Sequence, residues 1–201
     1  IISEAMQQKT HFYNKEEYKC NLLSALQKSI RGSDPDASIH YLARLFKGGA
    51  DIQMIGRRLL VIASEDVSMA YPQAINIVTS CVQAALMVGY PEAEINLAQA
   101  VITLACAPKS NRSYEALLKA KADINNREID DIPAHLKDAH YKGAFKRGFG
   151  LEYKYPHDYG GYVKQQYLPD DLYKENVKYY EPTNNGTESS FKRYLEETKR
   201  R

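Results

Sequence analysis

From Glu16 to Asn126 the chain is one series of helix-patterned segments cut by glycine and proline, and nowhere in it do apolar and polar residues alternate as in a strand. This pattern constrains the fold more than any other feature. Leu22, Leu26 and Ile30 recur every four residues with Leu23 beside them, and Gly32 ends the segment. Ser33-Asp34-Pro35-Asp36 is a start signal: Ser33 or Asp34 can cap, and Pro35 suits a first turn because its missing N–H has no helical partner there. Ile39, Leu42, Ala43 and Phe46 then form an i, i+3, i+4, i+7 stripe that stops at Gly48-Gly49. Asp51 can cap a third segment striped by Ile52, Ile55, Leu59 and Ile62. Pro72 opens a fourth, which ends at Gly89, and Pro91 opens a fifth, which runs toward Pro108. Between Leu97 and Ala107 only Gln99 and Thr103 are strongly polar, so this helix belongs at the centre of a core or in a subunit interface. Asn111 can cap a sixth, with Tyr114, Leu117 and Leu118 expected on its inner side. The expected class is all-α, a bundle of antiparallel neighbours joined by short turns.

After Asn126 the character changes. Residues 127–182 carry Pro133, Pro156, Pro169 and Pro182, and Tyr153, Tyr155, Tyr159, Tyr162 and Tyr167 fall close together. Helical patterning survives only in pieces such as His140 to Lys146. An ordered, irregular extension over 127–201 is expected to pack on the bundle, with tyrosine rings on apolar surface and hydroxyls in water. Asn184 to Ser189 reads as a flexible turn before a last polar helix from Glu188 to Thr198. Ile1 stands where a complete chain would have Met, and Ile2, Ala5 and Met6 continue at helical spacing. The chain therefore reads as a fragment cut from a longer protein.

With 44% apolar residues the chain can bury a core, and a formal charge of +2 is weak for a protein that lives by gripping nucleic acid. Cys20, Cys81 and Cys106 lie far apart and form no metal-ligand spacing, which fits a reducing, cytoplasmic setting. Gly143 and Gly148 have the glycine spacing of a phosphate-binding loop, but Phe149 and Gly150 stand where lysine and a hydroxyl residue are required. Leu59-Leu60-Val61-Ile62 before Glu65-Asp66 is a poor magnesium-site strand, because the acids come late and on a helix. His135 and His140 lack zincin spacing, and His157-Asp158 would need a third group from elsewhere to act as an acid–base pair. No catalytic, cofactor-binding or metal residues are assigned.

Arg57-Arg58 interrupts an apolar helix. One arginine can flank the core while the other pairs with a neighbouring helix, or the pair can contact another subunit or a phosphate. Glu65-Asp66 can pair with arginines of another helix or subunit. Lys109-Ser110-Asn111 at a helix start can bind an anion or simply cap.

Several motifs in one order resemble the RarA/MgsA family of AAA+ ATPases, which is similar to the Werner-helicase-interacting protein group. They are Arg31-Gly32-Ser33-Asp34-Pro35-Asp36-Ala37, Tyr41-Leu42-Ala43-Arg44, Arg57-Arg58-Leu59, and Ala63-Ser64-Glu65-Asp66. Gln99-Ala100-Val101-Ile102, Ala107-Pro108-Lys109-Ser110-Asn111, Pro133-Ala134-His135-Leu136, Tyr155-Pro156-His157-Asp158 and Gln166-Tyr167-Leu168-Pro169 come after them. Ser68 and Tyr71 depart from the pattern, which has glycine and a small polar residue there.

The resemblance implies a bundle like the clamp-loader collar over 16–126, with 1–15 as the end of the ATPase lid. It implies that this piece holds subunits together, as a homotetramer, and is not itself an enzyme. ATP and magnesium would belong to the full-length protein, as would contacts to DNA and single-strand-binding protein in replication-fork maintenance and recombination. The setting would be cytoplasmic and nucleoid-associated. Arg31, Asp34, Asp36, Arg44, Arg57, Arg58, Glu65, Asp66, Lys109, Ser110, Asn111, His157 and Asp158 become candidates for interface or anion contact. The alternative is a DNA- or partner-contacting module that steers the ATPase to stalled forks, using Lys142, Lys146 and Arg147 with Lys199-Arg200-Arg201. Against it, residues 127–201 hold fourteen Lys/Arg and thirteen Asp/Glu.

Overall fold

The computed structural model describes residues 15–140 and 147–200, and its described residues are helical with no strand. The expected opening helix from Ile1, and most of the piece from His140 to Lys146, lie outside them. Eight α-helices are described: α1 (Lys15–Arg31), α2 (Pro35–Lys47), α3 (Ile52–Ile62), α4 (Ala74–Val88), α5 (Ala93–Cys106), α6 (Arg112–Asn126), α7 (Asp170–Lys174) and α8 (Glu188–Lys199).

The predicted punctuation acts as chemistry requires. The Asp34 carboxylate accepts from the Ala37 N–H at the start of α2, and Asp51 accepts from the Met54 N–H at the start of α3. Each satisfies one of the N–H groups that a helix start leaves without a partner. At the other end of α2 the Gly48 N–H returns to the carbonyls of Arg44 and Phe46. Pro72 and Pro91 precede their helices by a short turn, since α4 begins at Ala74 and α5 at Ala93.

Two compact units divide the chain. The first runs to Ser113 and includes Thr183–Glu188; the second is Tyr114–Pro182 with Ser189–Arg201. Helices α1 to α5 build the core of the first. Leu26, Ile30, Leu42, Leu45, Ile55, Leu59, Ile62, Val78, Leu97 and Leu104 are all fully buried there. Each such side chain contributes about 1.5–3 kcal/mol by leaving water.

Gly56 marks the tightest helix approach. A Cβ on it would lie 2.7 Å from Val82 Cγ1, so α3 and α4 meet where only a hydrogen fits. Gly56→Ala is expected to cost about 1–3 kcal/mol through overpacking. Val82→Ala in the same chain should recover part of that loss, because it removes the methyl groups in the way. Urea unfolding of the two single variants and the double variant measures this; purely additive losses would refute the steric explanation.

Between α3 and α4 the chain makes a π turn over Ala63–Val67, where the Ser68 N–H reaches back five residues to the Ala63 carbonyl. Ser68 then sits at φ 45° and ψ −126°, which glycine adopts without the Cβ clash that serine carries. Its Oγ lies 2.5 Å from Ser113 Oγ. The departure from glycine noted in the sequence thus falls on the one residue in this turn whose backbone favours glycine.

The segment expected to be a flexible turn is instead docked on the first unit. The Thr187 N–H donates to the Ala70 carbonyl at 2.8 Å, and Asn185 Nδ2 donates to the Lys109 carbonyl at 2.9 Å. Gly186 passes so close that a Cβ would stand 2.2 Å from the Ala70 carbonyl oxygen. The fully buried Glu188 carboxylate accepts from both the N–H and the hydroxyl of Thr183.

Tyr90 closes the loop before α5 by donating its hydroxyl to the Ala50 carbonyl at 2.9 Å. Burial, with Glu94 and Asp51 adding negative charge nearby, pushes its pKa above the ordinary tyrosine value. The folded pKa exceeds the unfolded one, so this contribution is intact below the ordinary tyrosine range and lost as pH climbs through the folded value. Tyr179 is likewise held above the ordinary value by burial and Asp123, so tyrosinate absorbance should show one late-ionising group fewer in Tyr90→Phe than in the native chain; an unchanged titration would remove the assignment.

In the second unit, α6 differs from expectation. None of its residues is buried, and Tyr114, Leu117, Leu118 and Ile124 are exposed. The periodicity identified the helix correctly, but an apolar stripe does not state whether its cover comes from the same chain. Tyr179 donates to Asp123, Arg127 pairs with Asp123 and Glu175, and Lys119 pairs with Glu181. Among its described residues Leu172 is the one large apolar side chain that is buried. Tyr153, Tyr155, Tyr159 and Tyr167 are each about half exposed.

Candidate functional site

The densest polar cluster lies in the first unit, where α1, α3 and the π turn meet. Asp66 is buried at 5% exposure. Arg31 Nε donates to Asp66 Oδ1 at 2.5 Å, and Arg31 Nη2 donates to Glu65 Oε1 at 3.1 Å. Gln27 Nε2 donates to Asp66 Oδ2 at 3.1 Å and to Glu65 Oε2 at 3.3 Å. On its other side Gln27 Oε1 accepts from Arg58 Nη1 at 2.9 Å. A chain of charge and amide therefore runs from Arg31 through Asp66 and Gln27 to Arg58. The Asp66 carbonyl also accepts from the Ser110 N–H at 2.9 Å.

The π turn makes this possible. Its extra residue per turn lets Asp66 point inward beside Val67, while Ala63 stays in the core. The hydrogen bond from Arg31 to Asp66 raises the Arg31 pKa above its ordinary value, so the guanidinium stays charged. The carboxylates and the guanidinium here hold one another by hydrogen bonds. Gln27 was not among the residues singled out in the sequence. Its signal was a polar amide on the buried side of α1, between Leu23, Leu26 and Ile30.

The remaining candidates have separate places. Asp34 is the cap of α2, and Asp36 is exposed in its first turn. Arg44 donates to the Tyr18 hydroxyl at 2.6 Å and lies 5.7 Å from that ring's centre. Arg57 donates to Gln53 Oε1 at 3.2 Å. Lys109 Nζ donates to Ser33 Oγ and to the Ala105 and Ala107 carbonyls, and its burial lowers its pKa. Ser110 is buried and its Oγ accepts from the Arg112 N–H, so it caps α6; Asn111 is exposed. His157 and Asp158 are exposed in a 3-10 turn over Pro156–Tyr159, with the His157 ring against Tyr155. Arg147 is exposed, and Lys142 and Lys146 lie outside the described residues. The structure thus gathers Arg31, Arg58, Glu65, Asp66 and the backbone of Ser110 in the first unit; His157 and Asp158 belong to the second unit.

Among the described residues no three His, Cys, Asp or Glu side chains are grouped to hold a metal ion, and no helix is long and apolar enough to cross a membrane. The class this defines is an all-helical domain whose polar cluster locks helices together. The chain belongs to the family described as MgsA AAA+ ATPase C terminal, whose model matches residues 32–199. It is 50% identical over 201 residues to replication-associated recombination protein A of Bacillus subtilis, covering 98% of this chain and 47% of that protein. Its Escherichia coli K12 counterpart is 40% identical over 186 residues, covering 92% and 41%. The ATPase WRNIP1 of Dictyostelium discoideum is 34% identical over 162 residues, covering 80% and 18%. The chain thus spans less than half the length of each of these relatives.

Proposed function

We propose that this chain is the assembly module of a AAA+ ATPase acting in replication-associated recombination, and that it joins like subunits into a homotetramer. The observation that carries this is the outer side of α5. Leu97, Ala100, Val101 and Leu104 on one side are fully buried, while Ile95, Ile102 and Cys106 on the other are exposed with Gln99 between them. The end of α4 adds Leu86, Met87 and Val88, with Met87 86% exposed. Apolar side chains in one such stripe mark a surface that another molecule covers. Closed symmetry is the usual arrangement for identical subunits.

The names of the relatives, replication-associated recombination protein A and ATPase WRNIP1, support an ATPase and recombination setting. The same proposal places ATP hydrolysis, with magnesium, in the part of the protein outside this chain, and has DNA and single-strand-binding protein reached through the full-length protein on the nucleoid. The chain alone would be no enzyme. Light scattering coupled to size exclusion tests the assembly directly. A mass of four chains is expected, and a monomer at high micromolar concentration would overturn the reading.

A further inference from the structure

Among the described residues the two arginines of α3 have no carboxylate partner, although acids stand close by. Glu65 and Asp66 are engaged by Arg31 and Gln27. The Asp51 carboxylate accepts from the Met54 N–H as a helix cap. Among the described residues Arg57 reaches only the neutral amide of Gln53, and Arg58 only that of Gln27. Beside them α1 and α3 enclose a groove of about 360 Å³ whose apolar wall is Leu23, Met54 and Val61. Val61 is 47% exposed.

We propose that this groove is a docking site for an acidic protein segment bearing one bulky apolar side chain. The apolar side chain fills the wall of Leu23, Met54 and Val61, and the acids meet Arg57 and Arg58. Charge complementarity argues for the acids, because a guanidinium bonded only to an amide gains when a carboxylate replaces water. The forked donors of arginine also suit planar carboxylates. The groove is too small for a helix and has room for a side chain or two, which fits an extended segment. A nucleic-acid strand fits worse, because among the described residues no aromatic ring lines the groove for a base to stack on.

Arg58 is set in place before any partner arrives. Gln27 is 7% exposed and is itself held by Asp66 and Glu65, so the bond from Arg58 Nη1 to Gln27 fixes the guanidinium at the groove rim. A donor already ordered costs less entropy to bind. The polar cluster that locks the helices thereby also aims the recognition arginine. This surface lies on α1 and α3, while the assembly reading rests on α4 and α5, so neither depends on the other.

Selection of random dodecapeptides displayed on phage against the whole chain provides the probe, followed by fluorescence polarisation with the best selected peptide. Selected sequences should carry two or more acids beside one aromatic or branched apolar residue. The double variant R57A/R58A, and separately Val61→Glu, should weaken binding about tenfold or more with the helical spectrum kept, and Arg57→Ala alone, which lies outside the polar cluster, should weaken it with unchanged circular dichroism melting. Raising the salt should narrow the gap between wild type and R57A/R58A. Peptides with no acidic bias, an empty selection, or binding to R57A/R58A within about twofold of wild type would each overturn the proposal. So would a twenty-nucleotide thymidine strand that displaces the peptide in an Arg57/Arg58-dependent way, since the ligand would then be nucleic acid. Light scattering on the same samples separates the two readings. A mass that falls in R57A/R58A makes the groove a self-interface and ends this proposal alone, whereas a monomeric wild type ends only the assembly reading.

Discussion

Asp66→Ala is expected to destabilise the first unit by about 3 kcal/mol, the low end of the cost of removing one partner from a buried ion pair. The low end applies because the Arg31 side chain keeps 47% of its surface exposed and can turn partly to water. The loss exceeds that of one hydrogen bond because the cluster is connected. Without Asp66, Gln27 loses its 3.1 Å acceptor, Arg31 loses its 2.5 Å acceptor, and the Gln27 amide that holds Arg58 keeps only its 3.3 Å bond to Glu65. For a cooperative unit of this size the loss corresponds to a melting temperature lower by about 12–24 °C. Glu65→Ala is the internal control. Its carboxylate is more exposed and its contacts are longer, so it should cost about 1 kcal/mol or less. Urea unfolding followed by far-ultraviolet circular dichroism measures both. Equal losses at the two positions would mean that burial of Asp66 does not set the strength of the cluster.

Lysine substitutions on α5 should sort by face. Ile95 is 73% exposed and Ile102 is 40% exposed, so Ile95→Lys with Ile102→Lys leaves the core untouched. In an assembled protein the two ammonium groups would be buried without partners, at a cost that a subunit contact cannot absorb. The expected result is an unchanged helical spectrum with a mass near one chain in place of four. Leu97→Lys or Leu104→Lys, at positions fully buried within the chain, should instead abolish the cooperative unfolding transition. If the exposed-face double variant keeps the mass of the wild type, α5 is not the contact. The exposed apolar residues of α6, Tyr114, Leu117, Leu118 and Ile124, then become the next surface to charge.

Much of the fold was legible because helices are encoded locally. Asp34-Pro35 and Asp51 cap where their side-chain chemistry places them, and the stripes of α1 and α3 point into the core as their spacing requires. On α2 the buried line is Ser38, Leu42 and Leu45, while Ala43 of the expected stripe is exposed. The amphipathic pattern of α6 was equally legible but misleading about burial, because periodicity reports which residues share a face and not what covers it. The turn at Asn184 to Ser189 reads as flexible from its small polar residues. Its fixation comes from Ala70 and Lys109, whose carbonyls lie far away in sequence.

For the candidate site the division is similar. Arg31, Arg57, Arg58, Glu65 and Asp66 were all visible as charged residues that an apolar helical pattern does not explain. Their grouping was not visible. Arg31 and Asp66 are separated by 35 positions and Gln27 and Asp66 by 39, and pairs at such distances depend on the angle at which α1 and α3 cross. The π turn that swings Asp66 inward is one residue out of helical phase, a change that leaves no mark on composition or spacing. By itself, then, the sequence determined the all-helical class and which residues of a helix share a face, because those depend on neighbours three and four residues away. Tertiary structure alone decided which acids Arg31 takes, which arginines that leaves open to a partner, and which apolar faces stay uncovered. Those outcomes arise from side chains competing for the same few partners once the helices are packed.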